Sequence, residues 1–486
     1  MRKNEQTIEQ YINNLFNFSS DVTIEKQYLF NSNMKQVMFV IYCNGLTDYN
    51  VLLNSILPDI HDKYYYAGLN GIENISSSNQ MEFSIGTDGV DKTILEKVFN
   101  GYTAIVIADT IYFFNLSNPP KRSPEESNSE VSVRGPRDSF VEDISSNLAL
   151  VRKRIKSNSL VTTTFVIGKR SQTQVKLAYL TDIQNKKMIK EVTERLNNID
   201  IDFLNSDNQL LGYLGDNKFP LFPLLKGTSR PDGVVSSLAV GRFAIFIDNS
   251  PNVLLGPTNL GVLMKTSEDE HTPFYYATFE IILRLFGLLI ALFLPAFWVA
   301  LSTFNADQIP FPLLASVASS RIGIPFNASV EMLLMLFLFE LFREAGVRLP
   351  KAVGQTVSVV GGLIVGNAAI QAGVTSSTML VISSLTAVAT FTLGNQALYG
   401  TVSILRIFSI ILSSFFGMFG FFISLYIVLG YLAKQESFGL PFLSPVSPFV
   451  KNDFLKSIIK FPAVKQNDRA SMLDPIDKDR QGEQEH

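Results

Sequence analysis

The stretch LFGLLIALFLPAFWVALSTF, running from Leu285 to Phe304, decides how the second half of this chain folds. It carries no charged side chain. A helix rising ~1.5 Å per residue needs about this length to cross ~30 Å of hydrocarbon. An approach helix, Tyr275 to Arg284, leads into it. Ile309 to Ser319 is apolar but too short to cross, and Pro310 and Pro312 interrupt it; this is the pattern of a re-entrant or interfacial piece buried against protein. Arg321 follows at once. Ala328 to Phe342 is the next expected crossing, ending in Arg343, Glu344, Arg348 and Lys351, a basic cluster that the positive-inside rule places in the cytoplasm. Ala352 to Gly373 and Thr378 to Leu398 are rich in small residues that permit close helix packing, and Ile404 to Leu432 is a long Phe- and Leu-rich span.

The composition of the whole chain fits this division. Apolar residues make up 47% of the 486 and charged residues 17%, with the charge concentrated outside the long apolar stretch. A net charge of -3 supplies no pull toward nucleic acid. Cys43 is the single cysteine, so one chain can form neither a disulfide nor a Cys-ligated metal site. His61, His271 and His486 are far apart, and the strings that mark zincins, α/β-hydrolases and P-loops do not occur. The expectation is a protein with no catalytic residues, no metal site and no cofactor, and so not an enzyme. The polar start, Met1 to Glu5, has no apolar run behind it, so no cleaved signal peptide is expected and the first region stays in the cytoplasm.

The expected fold is an α/β cytoplasmic region of two subdomains followed by an α-helical polytopic membrane domain. Residues 1–130 form the first subdomain, with a polar, Pro-containing linker near 118–130. Residues 131–265 form the second. The membrane domain spans 275–433 with about four to six hydrophobic segments, and 434–486 is a polar tail. Gln36 to Tyr42, Ala104 to Ile107, Leu160 to Ile167 and Val175 to Thr181 read as strands, and Lys186 to Asn197 as a helix. The run from Gly101 to Ile107 recurs in type from Gly241 to Ile247, which is either a duplicated subdomain or a common way to enter a strand. After the linker comes Arg134-Gly135-Pro136-Arg137. The capping-box spacing of Ser139 and Glu142 predicts a helix start there, with Phe140, Ile144, Leu148, Val151 and Ile155 on one face. Its basic end, Arg152 to Lys156, either complements the helix dipole or docks on anionic lipid or an acidic partner. Thr228 to Asp232 reads as a polar turn.

Ionisable groups at bilayer depth are expensive and call for an explanation. Glu331 and Glu340 lie nine residues apart, face different sides of one helix and need separate partners. Arg321 is the partner for the first, and Arg343 or Arg348 at the membrane surface for the second; ion coordination is the alternative. Gly362, Gly366 and Ala369 share a face, with Asn367 and Gln371 in an adjacent stripe, which is either a pore lining or a packing seam. The cytoplasm is the expected side for the N-terminus, the Arg343 to Lys351 loop and the tail, and this requires one re-entrant segment, placed at Gly361 to Gly373.

Ordered strings along nearly the whole chain resemble the A subunit of GerA-type spore germinant receptors. They are Arg134-Gly135-Pro136-Arg137 with Phe140, Glu142, Asn147, Leu148 and Ala149; Arg230-Pro231-Asp232; Asp248-Asn249-Ser250-Pro251; Arg321 to Phe326; Glu340 to Pro350; Gly366 to Gly373; and Ser437 to Pro441. Ser229 and Gln308 depart from the pattern, each standing where many relatives are acidic, and Gln308 weakens any cation site there. The resemblance implies a multi-pass protein of the spore inner membrane with its N-terminal region on the spore-core side. It implies a nutrient-sensing B subunit and a C-subunit lipoprotein as partners, membrane lipid around it, and homo-oligomerisation into a gated pore for monovalent cations. Arg134, Arg137, Glu142, Arg321, Arg343 and Arg348 are the interface candidates. A secondary transporter and an accessory protein of the dipicolinate-release complex remain as alternatives.

Overall fold

The structure, a computed structural model, describes residues 2–481 except 18, 32–33, 69–77, 83–87, 109, 119–129, 131–133, 218–219 and 349–364. Most of the Pro-containing linker, Gly362 and the first four residues of the expected re-entrant segment, 361–364, therefore lie outside the described residues.

The first sheet contains β1 (Val22–Asn31), β2 (Met34–Cys43), β3 (Ser78–Glu82), β4 (Tyr102–Ile107) and β5 (Thr110–Asn115), in the order β1-β2-β4-β5-β3 with every neighbour antiparallel. Alternate residues of β2 face opposite sides. Phe39 and Ile41 meet α1 (Arg2–Leu15) and α3 (Asp88–Phe99), while Val40 and Tyr42 meet α2 (Leu57–Ala67). Both faces are covered, so the strand reads as an unbroken apolar run.

The second sheet, β6 (Leu160–Ile167), β7 (Thr173–Leu180), β8 (Lys226–Thr228), β9 (Phe243–Ile247) and β10 (Val253–Gly256), has the order β6-β7-β9-β10-β8. This is the same strand order as the first. The two matching stretches enter β4 and β9, the fourth strand of each sheet, and Gly101 and Gly241 turn into them at φ +89° and +94°. The helices of this half are α4 (Ile144–Arg152), α5 (Lys186–Asn197), α6 (Asp207–Leu214) and α7 (Pro231–Ala239).

Three local expectations are corrected here. Helix α4 starts five residues after Ser139 and is capped by Asp143, which accepts from the Ser146 amide. Ser139 to Val141 are held extended instead, because Phe140 N donates to Ser229 O at 2.9 Å and the buried Asn147 side chain bonds both backbone groups of Val141. The basic end of α4 is only partly free to dock on lipid or a partner, since Lys153 and Lys156 alone of its four cations are exposed. Arg152 is fully buried, pairs with Asp21 at 2.9 and 3.2 Å, lies over the Phe99 ring and ties the two subdomains together; Arg154 pairs with Asp138. Thr228 to Arg230 are buried rather than a polar turn, and Pro231 is the first residue of α7, where its missing N–H is harmless.

The membrane domain comprises α8 (Phe274–Phe304), α9 (Phe311–Ser320), α10 (Ala328–Arg348), helical residues 365–371, α11 (Ser377–Phe391) and α12 (Ala397–Lys434). Helices α8 and α12 are long and apolar enough to cross a bilayer. Phe286, Phe337, Phe391, Phe415 and Phe419 are exposed on the outside of the bundle, which suits a lipid surroundings and not water. Helix α9 is short, as expected, yet within one chain it is mostly exposed rather than buried against protein. Helix α11 stops at Phe391, short of the expected Leu398.

The long last span is in fact two helices. At Gly417 the backbone leaves helical geometry (φ 61°, ψ −138°). Thr401, before the break, donates to Leu221 O, and Tyr431, after it, accepts from Leu221 N at 2.8 Å. Both ends of α12 therefore meet one residue of the soluble region, and the chain reverses at Gly417. That reversal brings the tail back to the soluble region. Ser437 donates to Leu224 O, Leu260 N to Phe442 O, Asn259 to Ser444 O and Ile476 N to Ile183 O.

Candidate functional site

The soluble and membrane regions meet in a short joint. Thr266 and Asp269 form a capping box around the 3₁₀ turn Ser267–His271. The Asp269 carboxylate also accepts from Arg284 of α8 at 2.7 and 2.9 Å, and both side chains are buried, so the turn is clamped to the first membrane helix. From the tail, Lys460 donates to the carbonyls of Asp269, Glu270 and Thr272. At the end of the turn, His271 lies 3.0 Å from Asp232, which also receives two bonds from Arg230. Beneath the His271 ring is Gly135 at φ +99°, where a β-carbon would sit 2.4 Å from the ring. The Arg-Gly-Pro-Arg and Arg-Pro-Asp strings thus converge on one histidine. Burial pushes the Asp232 carboxyl upward, but the bonds from Arg230 and His271 outweigh it and hold Asp232 below its ordinary range.

The two membrane carboxylates sit toward opposite ends of the bundle. Glu331 is fully buried; its Oε1 accepts from Thr375 Oγ1 at 3.1 Å, Ser376 N at 2.5 Å and Ser376 Oγ at 2.6 Å, while Oε2 makes no hydrogen bond and lies 3.9 Å from Arg321. Glu340 bonds Arg343, accepts from Ser403 at 3.2 Å and lies 3.7 Å from Arg406. The separate partners demanded by their spacing are present. Sequence reasoning missed Arg406, although it is the one charged residue between Lys351 and Lys434.

Among the other expected positions, Gly366 and Ala369 are buried, with Gly366 facing Leu380 of α11, whereas Asn367 and Gln371 are exposed. Arg134 and Arg137 are exposed at the surface. The Glu142 side chain is exposed too, and its carbonyl accepts from Asn249 N, joining two of the quoted strings. The side chain of Arg348, at the end of α10, lies outside the described residues. Among the described residues there is no cluster of His, Cys, Asp and Glu suited to a metal. The sequence signals that pointed to the joint were the two motifs themselves; neither spacing nor periodicity indicated that His271 would bring them together.

The profile of the family described as Bacillus/Clostridium GerA spore germination protein matches residues 10–472. The chain is 38% identical over 486 residues to "Spore germination protein XA" of Bacillus anthracis, covering 99% of this chain and 98% of that protein. It is 33% identical over 428 residues to "Spore germination protein A1" of Bacillus subtilis, covering 88% of each. Among solved structures, the N-terminal domain of the A subunit of the Bacillus megaterium spore germinant receptor GerK3 is 27% identical, covering 51% of this chain and 92% of that one with a TM-score of 0.37.

Proposed function

The chain belongs to the Bacillus/Clostridium GerA spore germination protein family, and from that premise we propose that it is the A subunit of a nutrient germinant receptor in endospores, an oligomeric channel that releases monovalent cations when a partner sensor subunit binds nutrient. In this reading it sits in the spore inner membrane with its soluble region on the core side, beside a B subunit and a C-subunit lipoprotein.

One observation carries the channel reading: where the polar groups face. Inside the bundle, the buried hydroxyls of Ser383, Thr386, Thr390 and Ser409 each donate to a carbonyl four residues back on their own helix, so they are satisfied without water. Asn367 and Gln371 face outward from residues 365–371, opposite the Gly366 and Ala369 seam that packs into the chain. Amides on the outside of a membrane helix favour a hydrated path or a second copy over lipid. Both are supplied if several copies bring this face to a common axis. Ala369 then belongs to the packing seam, and the ion meets Asn367 and Gln371, whose dipoles replace part of its hydration shell.

Asn367→Leu and Gln371→Leu should each slow potassium efflux from germinating spores at least tenfold while the receptor still co-purifies with its B subunit. Efflux at the wild-type rate in both variants would rule out this lining. Saturable uptake by the protein reconstituted alone would favour a transporter instead.

A further inference from the structure

At the soluble end of the membrane domain, α10, α11 and α12 enclose a small cleft whose walls include Glu340, Arg343, Ala387, Thr390, Phe391 and Arg406. Its charges do not balance. Arg343 bonds Glu340, and Arg406 shares the same carboxylate at 3.7 Å while donating to Thr390 and Ser403 at 3.2 Å. Two guanidiniums against one carboxylate leave a formal charge of +1. Glu344, the next residue after Arg343, is exposed, and no acidic residue occurs between Glu344 and Glu436, so the stretch 349–364 supplies no second carboxylate.

The hydrogen bonds do not balance either. Arg343 Nη1 and Arg406 Nε are both buried and make no hydrogen bond, and Arg406 is 4% exposed. A buried charged donor left without an acceptor is a large penalty for a protein to carry. An anion entering the cleft would remove both imbalances at once. Guanidinium groups, with planar forked donors, match phosphate oxygens well.

Position identifies the source of that anion. Phe391 on the rim is 55% exposed and faces outward with the lipid-facing Phe337, so the cleft opens toward the membrane. Arg406 lies five residues beyond Thr401, which bonds the soluble region, so it is ~7.5 Å along the helix from that contact. This depth corresponds to the headgroup layer, roughly 5–7 Å thick on each side of the hydrocarbon. A phosphodiester carries one negative charge, equal and opposite to the surplus in the cleft. We propose that this cleft binds the phosphate of an anionic phospholipid, which joins α10, α11 and α12 at the membrane surface nearest the soluble region. The proposal is independent of the pore reading.

The test uses the purified full chain in detergent, with dioleoyl phosphatidylglycerol, dioleoyl phosphatidylcholine and inorganic phosphate as probes, and native mass spectrometry reading retained lipid. Wild type should retain one phosphatidylglycerol, and at least tenfold less phosphatidylcholine. Arg406→Gln should lower that retention at least tenfold, whereas Lys434→Gln, which removes a charge at the end of α12, should not. If Arg406→Gln does not fold, Ala387→Phe decides, since it fills the cleft and leaves both arginines in place. Undiminished phosphatidylglycerol in these cleft variants, or equal retention of the two lipids, would overturn the proposal. Thermal protection by inorganic phosphate alone, with no lipid retained, would assign the site to free phosphate and overturn the lipid source.

Discussion

Gly135 has φ +99° and lies so close to the His271 ring that a β-carbon has no space, so Gly135→Ala must move the ring away from Asp232 or shift the backbone. Strain of this kind is of order 1–3 kcal/mol. The substitution should leave the two sheets folded, as read by circular dichroism, and speed protease cleavage within 266–272; cleavage at the wild-type rate would show that this contact does not hold the joint. Asp232 adds a pH dependence with a definite sign. Its carboxyl is depressed in the folded protein, so its contribution is present above the ordinary carboxylate value of 3.8 and is lost as pH falls through the lower folded value. Cleavage in the joint should therefore accelerate as pH falls below about 4, and Asp232→Asn should lose that acid step. Individual residues were partly legible in the sequence. Arg343 with Glu340 followed from i,i+3 spacing, but Arg406 reaches the same carboxylate across helices, and no local pattern reports a contact of that kind.

Elements are legible in the sequence where burial and period agree. The strand Gln36 to Tyr42 and the helix Lys186 to Asn197 appear where expected because one is apolar on both faces and the other has a single apolar stripe. Helix α4 starts after Asp143 and not at Ser139, although both are good caps, because tertiary bonds from Ser229 and Asn147 hold 140–141 outside the helix. The reversal in α12 was invisible to hydropathy, since Gly417 lies among Phe residues and no proline marks the break. Length was the available signal: 38 residues make a helix of ~57 Å, far more than ~30 Å of hydrocarbon requires. Gly417→Ala should lower the thermal midpoint of the purified protein, because its φ and ψ suit only glycine and a β-carbon would lie 2.7 Å from Phe304 Cγ. Gly430→Ala, in the same segment with no atom within 4 Å of the added carbon, should be neutral or slightly stabilising. Equal destabilisation by both would argue against the hairpin.

Over the whole molecule, the soluble region, the Glu340–Arg343 end of α10 and the tail lie at one end of the bundle, while Glu331, Gly417 and the turn at 372–376 lie at the other. The tail therefore shares a side with the soluble region, and the reversal that brings it there is at Gly417, within a span expected to cross once. Family membership then gives this architecture its setting in spore germination. The central claim is that the outward face of residues 365–371 meets water at the axis of an oligomer. Asn367 and Val381 test it directly, since each lies five residues, ~7.5 Å along its helix, from the nearer end of that turn, and Val381 is 63% exposed on the outside of α11. With the native Cys43 replaced by serine, single cysteines at these two positions can be compared in membranes with a hydrophilic thiol reagent. The account predicts that Asn367→Cys reacts at least tenfold faster than Val381→Cys; equal rates, or a faster reaction at 381, would contradict it.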